Sequence, residues 1–149
     1  MRLEDEIKQQ SFKNEYQKMI VNLVFTGSWI NVNTSEMLKP FKLTTQQYNV
    51  LRILRGQHPN PASVNLIIER MLDKMSNASR IIDKLVLKKL ADRKVCPDDR
   101  RMVDVNITEK GLKILGELDI IEKLWQEKFK TLKLKEVKDL NILLDKLRG

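Results

Sequence analysis

The fold is decided by residues 76–111, SNASRIIDKLVLKKLADRKVCPDDRRMVDVNITEKG, where the spacing of the apolar residues changes. Up to Leu90 they recur every three or four positions, which is typical of a helix with one buried face. Beyond Leu90, apolar and polar residues alternate in LADRKVC and again in RMVDVNI, and this pattern predicts two short antiparallel strands. The stretch is therefore predicted to be a helix followed by a β-hairpin.

Helical periodicity continues on the N-terminal side of this stretch. One apolar stripe runs from Phe12 to near Pro40 and predicts a long helix. Thr44 and Gln47 form a capping box for a second helix, which ends in the turn-forming sequence GQHPNPA at residues 56–62. A short helix is expected over residues 64–72.

The helix over residues 76–89 is expected to have Ser76 as its N-cap, because serine accepts hydrogen bonds from the first turn. After the hairpin, Thr108 caps another helix, and the last helix carries leucines at a coiled-coil-like spacing. The order is a long helix, three short helices, a hairpin and two helices. This order predicts a mainly α (α+β) winged helix-turn-helix fold.

The length of 149 residues fits one domain. We expect residues 41–111 to form a DNA-binding block, and residues 1–40 and 112–149 to form dimerisation helices. The terminal helices carry more apolar surface than one small core can cover. The sequence therefore predicts a homodimer.

Composition limits the functional classes. The net charge of +8 makes a polyanion a plausible partner, although a soluble protein that is merely basic accounts for it equally well. The lone Cys96 allows no internal disulfide, and the polar N-terminus does not resemble a signal peptide. Since no apolar run approaches the roughly 20 residues that span a bilayer, we expect a cytoplasmic protein that does not enter a membrane.

The first turn of the helix that begins near residue 76 is polar, as a recognition helix requires, since its N-terminal residues meet base edges in the major groove. The polar residues are Ser76, Asn77, Ser79 and Arg80. Between residues 73 and 101 nine basic residues face five acidic ones, which is half of the chain's net charge. An ordinary capped surface helix is the alternative interpretation.

The predicted hairpin tip carries Asp98, Asp99, Arg100 and Arg101. Arginines on a projecting ribbon can enter a narrow minor groove, which attracts guanidinium groups. An aspartate two positions earlier would hold such an arginine in one rotamer. An exposed ion pair in a solvated turn is the alternative.

Residues 43–111 resemble the MarR (multiple antibiotic resistance regulator) family of bacterial transcription factors. The most specific element is Asp99, any residue, Arg101, and then a strand that ends in ITEKG at residues 107–111. The flanking helices match the family's dimerisation helices in order and length. The resemblance implies a homodimer that binds a pseudo-palindromic operator in double-stranded DNA, usually as a repressor released by a small-molecule effector or an oxidant.

Carried over by position, the resemblance implies specific roles for residues of this chain. It puts the polar first turn at the major groove, Arg101 at the wing tip, Asp99 beside Arg101 to orient it, and Arg100 and Lys84 on phosphates. Lys89 departs from the family pattern, which has a helix-ending glycine there. Either Lys89 adopts a positive φ, at a cost of roughly 1 kcal/mol relative to glycine, or the helix ends without that motif.

Other chemistry has little support in the sequence. One histidine, His58, and one cysteine, far apart, make a His/Cys metal site unexpected and supply no nucleophile and base pair. We expect neither an enzyme nor a bound cofactor. Cys96 is interpreted as a passive strand residue and His58 as a solvated loop residue.

The chain's larger aromatic residues fall on helical stripes. Trp29, Trp125, Tyr16 and the methionines are expected to pack in the core or the dimer contact. The resemblance places an effector pocket between the dimer helices and the DNA-binding block, so that some of these residues would line it. The rival to a DNA-binding regulator is a winged-helix module that binds another protein.

Overall fold

The computed structural model of the chain describes residues 2–95 and 103–149. The helices in these residues are α1 (Leu3–Ile7), α2 (Glu15–Leu38), α3 (Thr45–Gln57), α4 (Val64–Arg70), α5 (Ala78–Leu87), α6 (Glu109–Gln126) and α7 (Leu134–Arg148). The strands are β1 (Ala62–Ser63), β2 (Ala91–Val95) and β3 (Val103–Ile107). Helix α1 was not predicted from the sequence; from α2 onward, the order of helices and hairpin is that of a winged helix-turn-helix, as predicted.

Two predicted helix starts are confirmed at atomic detail. The N–H of Gln47 donates to Thr44 Oγ1 at 3.1 Å, while the N–H of Thr44 donates to Gln47 Oε1 at 3.3 Å, which completes the capping box of α3. At the start of α6, Thr108 Oγ1 accepts the N–H of Gly111 at 3.1 Å. Both helices therefore begin where the sequence places their caps.

The core is built around α3. Its buried face packs with residues from α4, α5 and α6, so that one cluster joins the short helices to the helix that follows the hairpin. The fully buried side chains of these four helices are Val50, Leu51, Leu54, Ile67, Ile82, Leu85, Leu115 and Leu118. This cluster fixes the position of α5.

The sheet has three antiparallel strands in the order β1-β3-β2, whereas the sequence indicated only two. The strand that was missed, β1, pairs Ala62 with Val105 and Ser63 with Asp104. Two residues are too few to show an alternation of apolar and polar positions. Burial of both Ala62 and Val105 is what holds β1 against the hairpin.

The predicted N-cap of α5 is wrong by one residue. Asn77, not Ser76, is the cap, and its Oδ1 accepts the N–H of Arg80 at 3.0 Å. Ser76 instead donates its hydroxyl proton to Asp73 Oδ2 at 2.6 Å in the preceding turn. Serine and asparagine cap helices about equally well, so the sequence alone could not separate the two neighbours.

The end of α5 resolves the alternatives for Lys89, which adopts a φ of +58°. The N–H of Lys89 donates to the carbonyl of Val86 at 2.8 Å, and the N–H of Leu90 donates to the carbonyl of Leu85 at 2.9 Å. These two bonds are those of a Schellman motif. Leu85 and Leu90 are both buried beneath it.

We therefore expect Lys89→Gly to raise the free energy of unfolding by about 1 kcal/mol, because glycine adopts a positive φ without a steric penalty. Thermal unfolding followed by circular dichroism should show a melting temperature higher by about 2–4 °C. Wild type and variant must be compared at equal chain concentration. A melting temperature that falls would show that the lysine side chain stabilises the fold by more than the backbone conformation costs.

The terminal helices leave many apolar side chains exposed. On α2 the large exposed ones are Tyr16, Met19, Ile20, Leu23, Val24, Trp29, Ile30 and Val32. On α7 they are Leu134, Leu140, Ile142, Leu143 and Leu147. An open groove of about 860 Å³ lies between these two helices. Within the described ranges, no helix combines the length and the apolarity needed to cross a membrane.

Candidate DNA-binding surface

Helix α5 presents one face to the core and the opposite face to solvent. Ala78, Ile82 and Leu85 are buried at the three-and-four spacing of a helix. Arg80 and Lys84 are exposed one turn apart on the outer face. The sequence placed these two residues on the DNA-facing side, and the structure exposes both of them.

The turn before α5 fixes the chemical character of Ser76. Its hydroxyl proton is donated to one oxygen of Asp73, and the other oxygen accepts the N–H of Met75 at 3.0 Å. The Ser76 hydrogen bond, followed by the Met75 one, lowers the pKa of the Asp73 carboxyl. Because its proton is committed to Asp73, Ser76 can offer only lone pairs to an approaching group.

Asn77, in contrast to Ser76, is left with hydrogen-bond donors for a ligand. Its carbonyl oxygen is engaged by the N–H of Arg80, so the amide nitrogen, with two donors, is the part left for a ligand. Asn77, Ser79 and Arg80 are all exposed, and Ser76 is partly buried. The polar first turn thus combines one fixed acceptor with several donors.

An ion pair that the sequence did not reveal joins α5 to the hairpin. Arg93 Nη1 of β2 lies 2.7 Å from Asp83 Oδ1 of α5. Both side chains are about half exposed, so the pair contributes only about 0–1 kcal/mol to stability. It neutralises the one acidic residue on the outer face of α5 and links that helix to the wing. Counting charges along the sequence could not reveal it, because the partners meet only after the chain has reversed.

The predicted wing tip falls outside the described ranges. Asp99, Arg100, Arg101 and Cys96 all lie between the end of β2 and the start of β3. The roles assigned to the first three remain predictions. The flanking strands are in register, with Val95 opposite Val103.

A depression of about 420 Å³ separates α2 from α3. It is lined by Gly27, Ile30, Asn31, Thr34, Thr45, Tyr48, Asn49, Arg52 and Leu72. Trp29 and Trp125 lie elsewhere, where each packs edge-on against Phe129 at centroid distances of 5.7 and 4.7 Å. The tryptophans thus form an aromatic cluster, and Tyr16 is largely exposed on α2.

Polar contacts beside this depression tie α3 to α6. Arg52 Nη1 donates to both oxygens of Glu122, at 3.1 and 3.0 Å, and the hydroxyl of Tyr48 donates to Glu122 at 3.1 Å. Burial, the largest influence, raises the pKa of Tyr48. One turn away, Arg55 makes two hydrogen bonds to Asp119, at 2.7 and 3.0 Å, which lower the pKa of that carboxyl.

In the part of the chain that the structure describes, no three His, Cys, Asp or Glu side chains lie close enough together to bind a metal ion. His58 is exposed at the C-terminal end of α3, in agreement with its interpretation as a solvated loop residue.

Comparisons with known proteins point to a single family. A family model described as MarR family matches residues 41–102. The HTH-type transcriptional repressor IacR of Pseudomonas putida is 29% identical over 114 residues, which make up 76% of this chain and 67% of that repressor.

Two solved structures extend the similarity over most of the chain. A MarR transcription factor from Planctomyces limnophilus is 29% identical with a TM-score of 0.68, and the match covers 91% of this chain and 98% of that one. BpsR of Bordetella bronchiseptica, whose DNA binding is regulated by 6-hydroxynicotinic acid, is 25% identical with a TM-score of 0.73, covering 88% and 99%.

Proposed function

The chain belongs to the MarR family of transcription regulators, and on that premise we propose that it is a homodimeric repressor that binds a pseudo-palindromic operator in the cytoplasm. The observation that carries the proposal is the exposed polar first turn of α5, which is held in place by a buried apolar face. A recognition helix requires this combination, because its outer residues must reach base edges while its inner residues fix its angle.

The first turn of α5 supports direct readout of bases. Arg80 can donate two hydrogen bonds to a guanine, and the amide group of Asn77 can donate to an acceptor on a base edge. Ser76, held as an acceptor, suits the amino group of cytosine or adenine. Lys84, one turn further along, is suited to a phosphate.

The exposed apolar faces of α2 and α7 support the homodimer. Domain-sized monomers rarely leave contiguous apolar surfaces of this kind in water. In the proposed organisation, residues 1–40 and 112–149 form the dimer contact, and residues 41–111 form the DNA-binding block. The two copies of α5 would then enter successive major grooves, roughly 10 base pairs apart.

At the wing, Arg101 is proposed to enter the minor groove with Asp99 orienting it, and Arg100 is proposed to contact phosphate. Replacing Arg101 with alanine should weaken binding most at operators whose flanks are A·T-rich, since a narrow minor groove attracts guanidinium most strongly. Affinities for two duplexes that differ only in these flanks provide the measurement. Equal losses on both duplexes would remove Arg101 from minor-groove readout.

A small-molecule effector is proposed to act at the depression between α2 and α3. Its wall includes Tyr48 and Arg52, which also contact Glu122 of α6. A ligand that competes for these groups would change how the DNA-binding block is attached to α6. BpsR, which is regulated by 6-hydroxynicotinic acid, supports a small aromatic compound as a first member of the ligand panel.

The proposal is tested by selecting bound fragments from random duplex DNA, with and without a ligand panel, together with light scattering to measure the mass of the protein. An enriched inverted repeat and a mass twice that of one chain are expected. A ligand that lowers the enrichment would support the repressor model. No enrichment, with affinity that depends little on salt, would favour a winged-helix module that binds protein.

A further inference from the structure

A second basic surface lies at the opposite end of α5 from the candidate DNA-binding surface. It is an open groove of about 460 Å³ between the C-terminal end of α5, the turn before α3 and the first turn of α6. Four of the residues that line it are lysines: Lys42, Lys88, Lys89 and Lys110. We refer to it as the lysine groove.

The four ammonium groups have no anionic partner in the described part of the chain. Lys88 Nζ donates to Gln47 Oε1 at 2.8 Å and to the carbonyl of Lys42, and Lys110 Nζ donates to the carbonyl of Lys88 at 3.1 Å. These acceptors are neutral. Among residues 2–95 and 103–149, none of the four lysines has a carboxylate within 4.0 Å, and Glu109, next to Lys110 in sequence, forms no ion pair with them. The described residues therefore place no carboxylate in an ion pair with the positive charge of the groove.

Two of the lysines that line the groove have a backbone conformation that is unusual for lysine. Lys42 and Lys89 adopt φ values of +54° and +58°, in the left-handed region that favours glycine. Each residue follows the end of a helical segment, where glycine is the residue most often found. Since the backbone would be more stable with glycine at both positions, what the lysines provide is their side chains, and both line the lysine groove.

The other four residues that line the groove are apolar. Leu87 is 83% exposed, and Phe41 and Ile114 are partly buried beside it. An occupant that matched this surface would carry negative charges and apolar groups together. The groove is open, whereas a small-molecule site buries most of its ligand, and an open surface suits a segment of protein chain.

Operator DNA is a poorer match for this groove. Helix α5 has 10 residues and is therefore about 15 Å long, and a recognition helix contacts base edges with its N-terminal residues. The lysine groove lies at the C-terminal end of α5, at the far end of this length from the first turn. The cations are thus set back from the base edges that the first turn of α5 would contact.

We propose that the lysine groove binds an acidic segment of another protein, in which carboxylates alternate with apolar side chains. Carboxylates would accept charge-assisted hydrogen bonds from the ammonium groups, while apolar side chains would cover Leu87 and Phe41. This surface would let the protein contact a protein partner while α5 is on DNA. It does not depend on the operator, the effector or the repressor role.

The test is fluorescence anisotropy with the 149-residue chain and a labelled 12-residue peptide in which glutamate and leucine alternate. The variants are Lys42→Gly, Lys89→Gly and the double variant, because glycine suits both backbone conformations and should leave the fold intact. The matched control is Lys8→Gly, since Lys8 has a φ of +55° but lies outside the groove. Two further peptides, with glutamine for glutamate and with serine for leucine, separate charge from apolar contact.

The peptide is expected to bind with an affinity that falls as salt rises. Each single variant should weaken binding about two- to fivefold, the range for one exposed charge, and the double variant should weaken it tenfold or more. Lys8→Gly should bind as wild type does, and both altered peptides should bind more weakly. Absence of peptide binding, or equal binding by the double variant and wild type, overturns the proposal. So does a double variant that loses affinity for duplex DNA but not for the peptide, since the lysines would then be phosphate contacts.

Discussion

Replacing Arg80 with alanine is expected to reduce affinity for the selected operator by about 100-fold or more, and to relax base preference at one position of each half-site. A bidentate arginine contact to guanine gives about 1–3 kcal/mol of discrimination, and a dimer would lose two such contacts. Arg80 is exposed on the first turn of α5, and its N–H is held by Asn77, so the side chain can be removed without disturbing the cap. Binding curves on the operator and on single-base variants provide the measurement.

Lys84→Ala is the matched control on the same helix face. Because a phosphate contact carries no sequence information, this variant should weaken operator and random duplexes alike and reduce the salt dependence by about one counterion per chain. If the Arg80 variant behaved in the same way, Arg80 would be a phosphate contact, and direct readout would rest on Ser76 and Asn77.

Gly111→Ala is expected to lower the free energy of unfolding by about 1–3 kcal/mol through overpacking. A β-carbon at position 111 would lie 2.4 Å from the carbonyl oxygen of Leu90 and 2.7 Å from Ile107 Cγ1. The first contact is with backbone at the end of α5 and cannot be relieved by a change of rotamer. Chemical denaturation at fixed protein concentration should show a lower midpoint with an unchanged slope.

Gly116→Ala on the same helix is the control, because a β-carbon there has nothing within 4 Å. Alanine is favoured over glycine in a helix interior by up to about 1 kcal/mol, so this variant should be more stable than wild type. If both substitutions lowered the free energy of unfolding equally, the close contacts at position 111 would not be the cause of the loss of stability. The two glycines lie five residues apart on α6 and have opposite expected effects.

The sequence predicted those parts of the fold whose causes are local. The capping box at Thr44 and Gln47, the cap at Thr108, and the change of periodicity after Leu90 each depend on residues within a few positions of one another. The strand β1 was missed because two residues carry no period, and its partner Val105 lies more than 40 residues away. The cap of α5 was misplaced because Ser76 and Asn77 are equivalent by composition, and only Asp73 decides between them.

In the candidate site too, the features that depend on nearby residues were predicted from the sequence, and those that depend on the folded chain were not. The outer face of α5 was predicted, since burial of Ile82 and Leu85 follows from helical spacing. The Asp83–Arg93 pair and the commitment of the Ser76 proton to Asp73 required the folded chain, because each depends on where a turn places its two ends. Arg101 and Asp99, outside the described residues, remain predictions from the resemblance.

The polar contacts between α3 and α6 have a consequence for the operator proposed above. Arg52 pairs with Glu122 and Arg55 pairs with Asp119, so α3 and α6 run antiparallel at this contact. The two ion pairs are three residues apart on each helix. Two such contacts, together with the buried core, restrain rotation of α3 against α6 more than one contact would. In the proposed homodimer, this attachment would limit how far the spacing of the two α5 helices can adapt to the DNA. Such a protein would tolerate sequence changes within a half-site better than the insertion of a single base pair between the half-sites.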